Sequence, residues 1–112
     1  MLQSKRRLSK AFFERKFLSK ARHLDFGLFS FKFGKLAGET RFACVISKKI
    51  CPTAVKRNQI RRRFYRILSE IYPRVSPGFY GIFFLKKEGI VSDNLLLRQE
   101  IENFLKKAKI LS

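Results

Sequence analysis

Acidic side chains are scarce in this sequence. Its 112 residues include 8 Asp and Glu against 26 Lys and Arg, and the formal net charge is +18. Glu14, Asp25, Glu39, Glu70, Glu88, Asp93, Glu100 and Glu102 are scattered, with no cluster of the kind that holds the ions of a metal-dependent nuclease. His23 is the only histidine, which leaves few groups for acid–base catalysis. Cys44 and Cys51 are too few for a disulfide scaffold and lack partners at zinc-site spacing, so reduced thiols and a cytoplasmic location are the default. The longest stretch free of charge, Val75 to Leu85, falls far short of the ~20 residues of a spanning helix. Lys5-Arg6-Arg7 leads into Leu8-Ser9-Lys10 and not into an apolar run, so neither a secretory signal nor a membrane partner is expected. There is no glycine-rich phosphate loop, internal repeat or low-complexity segment.

What remains is aromatic and basic. Thirteen Phe and a hydrophobic content of 46% supply a core that a disordered basic tail would lack, and the length suits a single domain over residues 1–112. So large a positive excess costs stability by self-repulsion. A polyanion relieves it, and RNA or DNA binding also gains entropy from released counterions. The composition points to a nucleic-acid-binding domain with no catalytic residues and no metal site of its own.

Hydrophobic spacing places the elements. A helix is expected from Ser9 to about Lys20, with Phe13 and Phe17 on one face. One strand is expected over Phe26 to Phe33, with Phe29, Phe31 and Phe33 sharing a face, and another over Arg41 to Ser47. The second is apolar on both sides and reads as a central, covered strand. Gly34 to Thr40 reads as a hairpin connection between them. Thr53 is positioned to start a helix that Pro73 ends, with Ile60, Phe64, Ile67, Leu68 and Ile71 as its buried stripe. Ser76-Pro77-Gly78 is a turn, Phe79 to Leu85 a strand, and Ser92 or Asp93 the cap of a last helix with Leu97, Ile101, Phe104, Leu105 and Ala108 inward. These elements make an α+β sandwich with a small sheet.

The densest charge lies in Lys56-Arg57-Asn58-Gln59-Ile60-Arg61-Arg62-Arg63-Phe64-Tyr65-Arg66. At helical spacing Asn58, Arg62 and Arg66 stand opposite the apolar stripe, with Gln59 and Arg63 beside them. Guanidinium groups match phosphate oxygens in pairs and can stack on bases. Lys48 and Lys49 are expected near the first helical turn, whose free N–H groups favour an anion.

Arg41-Phe42-Ala43-Cys44-Val45-Ile46-Ser47-Lys48-Lys49-Ile50, followed by Ala54-Val55-Lys56-Arg57-Asn58-Gln59-Ile60-Arg61-Arg62, resembles the bacterial ribonuclease P protein component. That family has a strand ending Ser-Lys-Lys-apolar, a short turn, then Ala-Val-x-Arg-Asn-Arg-apolar-Lys-Arg. Arg7-Leu8 with Phe13 and Phe17 is similar to its first helix, Phe26-Gly27-Leu28-Phe29 to its aromatic strand, and Gly78 to Lys86 to its last strand. Three positions depart from the pattern. Gln59 replaces its second arginine, Cys51-Pro52-Thr53 lacks the glycine of the turn, and Tyr65 stands where arginine is common.

The resemblance implies a two-layer α/β sandwich similar to a ribosomal protein S5 domain, in the order α-β-β-β-α-β-α with a left-handed βαβ crossover. It implies a protein subunit for endonucleolytic removal of the 5′ leader of precursor tRNA, with the chemistry carried by a catalytic RNA that requires Mg²⁺. Lys48, Lys49, Arg57, Asn58, Arg61, Arg62 and Arg66 would bind that RNA. Phe13, Phe17, Phe29 and Lys86 would bind the leader, in a cleft between the first helix and the sheet. The implied partners are the catalytic RNA and precursor tRNA, with a protein monomer on each RNA. The charge and fold also suit a ribosomal-type protein that buttresses rRNA. A DNA-binding regulator fits less well, since no paired helix-turn-helix is visible.

Overall fold

A computed structural model describes residues 6–7, 21–91 and 93–111. Strands β1 (Arg22–Phe26), β2 (Phe29–Lys35), β3 (Arg41–Val45) and β4 (Phe79–Leu85) form one sheet in the order β1-β2-β4-β3. Helix α1 (Ala54–Ile71) links β3 to β4, and α2 (Asn94–Lys107) follows β4. The neighbours pair antiparallel except β3 and β4, which run parallel. The described order β-β-β-α-β-α agrees with the expected one. The helix expected over Ser9 to Lys20, with Phe13 and Phe17, lies outside the described residues.

Three expectations for the sheet are corrected. The segment Phe26 to Phe33 is not one strand; it holds the end of β1, the Gly27-Leu28 turn of a hairpin and most of β2. Phe26 pairs with Phe29 across a two-residue turn, and Gly27 takes φ +57°, which a side chain rarely tolerates. The Glu100 carboxylate pins that turn by accepting the Leu28 N–H at 3.0 Å, and a Cβ on Gly27 would collide with it. Second, Gly34 to Thr40 is not a hairpin connection, because β4 lies between β2 and β3. The loop pairs instead with the turn before β4, through Leu36 N–H to Gly78 O and Gly78 N–H to Gly38 O, both 2.9 Å. Buried Thr40 ties this corner, its hydroxyl donating to Ser76 O and its carbonyl accepting from the Tyr72 hydroxyl at 2.6 Å. Third, β3 is the edge of the four-stranded sheet and not its centre. It is nonetheless buried at Phe42, Ala43 and Cys44, and Arg7 bridges to Phe42 on its outer side.

Both helices pack on one sheet face, around phenylalanine. Phe29, Phe31, Phe42 and Phe83 from the strands, Phe64 from α1 and Phe104 from α2 are almost wholly buried. Their rings meet mainly edge-on, as in Phe29 against Phe64 at 5.7 Å and Phe29 against Phe83 at 5.4 Å. Gly81 makes room for this cluster, since a Cβ there would lie 2.8 Å from the Phe31 ring and 3.1 Å from Phe42. The expected stripe of α1 is buried at Ile60, Phe64, Ile67, Leu68 and Ile71, and Tyr65 joins it. Helix α1 ends where Tyr72-Pro73-Arg74 turns into a 3₁₀ segment. Asp93 caps α2, its carboxylate accepting the Leu96 N–H at 2.8 Å. The other sheet face carries Ala43, Tyr80 and Ile82, flanked by Val45 and Phe84.

Candidate nucleic-acid interface

The parallel pairing of β3 with β4 brings the basic residues to one end of the sheet. Val45 lies opposite Phe84, so Lys48 and Lys49 beyond β3 and Lys86 beyond β4 leave the sheet at the same end. Lys48 and Lys49 sit exposed in a turn closed by Ile50 N–H and Cys51 N–H to Ser47 O, at 3.2 and 3.0 Å. Thr53 occupies the N-cap of α1 without a side-chain bond, and no acidic residue stands in the first turn. That leaves the helix N-terminus favourable to an anion.

The basic residues of α1 have different neighbours. Arg62 and Arg66 are exposed, and neither forms an ion pair with a described carboxylate. Lys48 and Lys49 share that state. Exposed Asn58 accepts a bond from Arg61 Nη1 at 3.0 Å, which orients that guanidinium along the helix. Arg57 points elsewhere, for its Nη1 donates to the carbonyls of both Cys51 and Pro52 at 2.8 Å. It braces the β3–α1 turn, and that nitrogen is already committed. Arg63 donates from Nε to Asn94 Oδ1 at 2.8 Å, linking α1 to α2.

The described carboxylates are mostly committed away from this face. Glu70 and Glu102 hold Arg98 at 2.5 and 3.1 Å, Glu102 also meets Arg74 at 3.3 Å, and Asp93 and Glu100 bond backbone N–H groups. Asp25 pairs with Lys86, whose hydrogen bond holds the carboxyl below its ordinary range. Lys86 therefore reaches the basic end already neutralised. Among the described residues, no group of three or more His, Cys, Asp or Glu is placed to hold a metal ion. Burial pushes the Cys44 thiol up to about 12, which keeps it protonated and unreactive. The one histidine, His23, shares a 2.7 Å hydrogen bond with Ser30 at the surface.

Phe29 must be withdrawn from the leader-binding residues. Its ring is 0% exposed and packs among Phe64, Phe83 and Phe104, so a base could reach it only by opening the core. Alternation explains the error: Phe29, Phe31 and Phe33 do share a face, but it is the face the helices cover. Phe13 and Phe17 lie outside the described residues. On the other face of the sheet, where Tyr80 and Ile82 are buried, the partly exposed ring among the described residues is Phe84, with the Lys32 ammonium 5.6 Å from its centroid. Its signal was hidden in Phe79 to Leu85, a run apolar on both faces.

Of the three departures, Gln59 is exposed and removes a charge from the basic face. Tyr65 is turned inward, its oxygen accepting the Cys44 N–H at 3.2 Å and its hydroxyl held protonated by burial. The Cys51-Pro52 turn is the one Arg57 braces. Arg6 and Arg7 have aromatic neighbours that the sequence reading did not foresee. The Arg6 guanidinium lies 4.2 Å over the Tyr72 ring and that of Arg7 lies 4.5 Å over Tyr65, which holds Arg6 and Arg7 against α1 and the turn that follows it.

The two-layer α+β domain has one cationic helix face, with most of its described carboxylates committed elsewhere, and this is the electrostatic profile of polyanion-binding proteins. The profile of the Ribonuclease P family matches residues 2–109. The chain belongs to that family. It is 40% identical over 75 residues to the ribonuclease P protein component of Synechococcus elongatus, covering 65% of this chain and 61% of that protein. With the component from Microcystis aeruginosa the identity is 31% over 74 residues, covering 66% and 62%. The matched stretch thus spans less than two thirds of these relatives' length. The fold is that of the Staphylococcus aureus RNase P protein, with a TM-score of 0.81 at 20% identity over 98% of this chain and 100% of that one. The Thermotoga maritima RNase P protein superposes with a TM-score of 0.77 at 23% identity, covering 90% and 96%.

Proposed function

We propose that this chain is the protein subunit of a ribonuclease P that removes the 5′ leader from precursor tRNA in the cytoplasm, with bond cleavage carried by an RNA subunit. The observation that carries this reading is a coincidence of family and charge. The family match runs through the Lys48-Lys49 turn and α1, where exposed cations have no described carboxylate to neutralise them.

Lys48, Lys49, Arg61, Arg62 and Arg66, with Asn58 orienting Arg61, bind phosphates of the RNA subunit. Arg57 acts one step back, holding the turn that carries the two lysines against the helix. The leader crosses the sheet face opposite the helices, where Phe84 and Lys32 take the place assigned to Phe29. Phe13, Phe17 and Lys86 remain in that set. Stacking on such rings is worth ~1–3 kcal/mol per base and tolerates sequence variation. Because the leader is present only in the substrate, each such contact favours substrate over mature product. Mg²⁺ belongs to the RNA in this scheme, and no step is routed through an ion on the protein.

Reconstitution tests the reading. The full chain is combined with the RNA subunit of the same cell and a precursor carrying a leader of several nucleotides. The protein alone is expected to cut nothing and to lower the Mg²⁺ concentration that the RNA needs. An unchanged Mg²⁺ requirement, with crosslinks to ribosomal particles and none to precursor tRNA, would establish the ribosomal alternative instead.

A further inference from the structure

At the end of the sheet away from Lys48, Lys49 and Lys86 lies a recess of about 490 Å³ between the strands and the end of α2. Strand register explains what lines it. Arg22 stands opposite Phe33 across β1 and β2, and Lys35 opposite Phe79 across β2 and β4. Directly opposed residues share a face, as do residues two apart in a strand. All four side chains therefore rise from the helix-covered face, at the point where α2 ends in Ala108 and the cover stops.

The chemistry of the four is divided. The half-buried Phe79 supplies the accessible apolar surface, above Phe33, which is 7% exposed and stacked on Phe31 at 5.4 Å. Arg22 and Lys35 are exposed at the rim, and neither pairs with a described carboxylate. The end of α2 does not repel an anion with bare carbonyls. Those of Phe104, Leu105 and Lys106 accept the N–H groups of Ala108, Lys109, Ile110 and Leu111. Lys106 and Lys107 in the last turn offset the helix dipole further.

We propose that this recess is a second RNA-strand site, which takes one unstacked nucleotide with its base on Phe79 and its phosphate on Arg22 and Lys35. A purely apolar ligand would leave the two cations unused, and a bare phosphate would leave the ring unused. A nucleotide uses both, and the volume lies within the roughly 300–1,000 Å³ of small-ligand pockets. The site rests on the reading of this chain as an RNA binder but extends it. The seven residues of β2 separate the recess from the basic end by about 20 Å, so a strand held here is distinct from contacts at α1.

The test is a titration of the isotopically labelled full chain with pentaadenylate RNA, and separately with inorganic phosphate, followed by amide NMR shifts. Pentaadenylate is expected to move Phe33, Gly34, Lys35 and Phe79 in addition to residues of the basic end, and phosphate to move the recess far less. Arg22→Glu with Lys35→Glu is expected to weaken binding at the recess about tenfold, a difference of ~1.4 kcal/mol. The charge-matched Arg41→Glu with Lys87→Glu, both exposed and outside the recess lining, is expected to change it less than about twofold, a difference below ~0.4 kcal/mol. Equal losses from the two pairs would reduce the effect to net charge and overturn the site. Equal shifts with phosphate would overturn base recognition. Shifts confined to Lys48–Arg66 would overturn the recess and leave the RNA-binding reading standing, whereas no shifts anywhere would overturn both.

Discussion

Arg57 and Arg62 lie five residues apart on one basic helix, and the structure separates their roles sharply enough to measure. Arg57→Ala deletes two charge-assisted hydrogen bonds, to Cys51 O and Pro52 O. Bonds to charged groups contribute ~1.5–3 kcal/mol each, but both acceptors lie near solvent and water replaces part of the loss. The pair is then worth about 2 kcal/mol, or roughly 8 °C in melting temperature for a domain of this size. Arg62→Ala removes an exposed group with no described protein partner, so its melting temperature should stay within about 2 °C of the parent, a surface change of less than ~0.5 kcal/mol. Affinity for the RNA subunit, measured against salt, gives the converse. Loss of a phosphate contact reduces the slope of log K against log salt by about one unit, so Arg62→Ala should flatten it. Arg57→Ala should weaken binding through a loosened turn while keeping nearly the parent slope. An Arg57→Ala protein that melts like the parent and loses a full unit of slope would refute the bracing role.

Phe29→Ala should cost about 3–5 kcal/mol of stability by calorimetry or denaturant melt, as for a buried ring, and a stable variant with selectively weakened leader binding would return Phe29 to the cleft. Phe84→Ala and Phe17→Ala should each raise the Kd for leader-bearing precursor about tenfold, the lower part of ~1–3 kcal/mol per stacked base, with little change for mature tRNA. Native Cys44 should resist iodoacetamide at pH 8 and react once the chain is unfolded, as read by peptide mass mapping, because its thiol stays protonated up to about pH 12. The folded pKa of Asp25 is lowered, so its pairing with Lys86 is present above about pH 3.8 and lost as pH falls through the folded value. Asp25→Asn should abolish that titration by NMR and, by freeing Lys86, tighten leader binding.

Patterns that repeat within one element could be read from the chain, and choices made between elements could not. The stripe of α1 and the inward residues of α2 follow from helical spacing alone, and the Ser47-Lys48-Lys49 and Arg57-Asn58 segments identify the basic end. The hairpin was hidden because Arg22-His23-Leu24-Asp25-Phe26 is a short edge strand with only polar His23 and Asp25 on one face and a mixed Arg22, Leu24 and Phe26 on the other. Apolar residues on both faces of Arg41 to Ser47 suggested a central strand, but edges can be covered by something other than another strand. Alternation put Phe29 on a face without saying which face the helices would take. Arg57 was read as a free cation because a carbonyl partner five or six residues back leaves no mark in composition.

The position of β4 has a consequence for how the chain assembles. Fourth in sequence, it is the strand that joins the β1–β2 hairpin to β3, which has no other strand beside it in the four-stranded sheet. A nascent chain halted before Phe79 can close the first hairpin, but the apolar side of β2 and the inner edge of β3 have nothing to pair with. Assembly of the sheet waits for nearly three quarters of the polypeptide to leave the ribosome, and such long-range pairing is slow. During that interval the high positive charge keeps unfinished chains apart by mutual repulsion, so the cations proposed to meet RNA also oppose aggregation while the chain is being made.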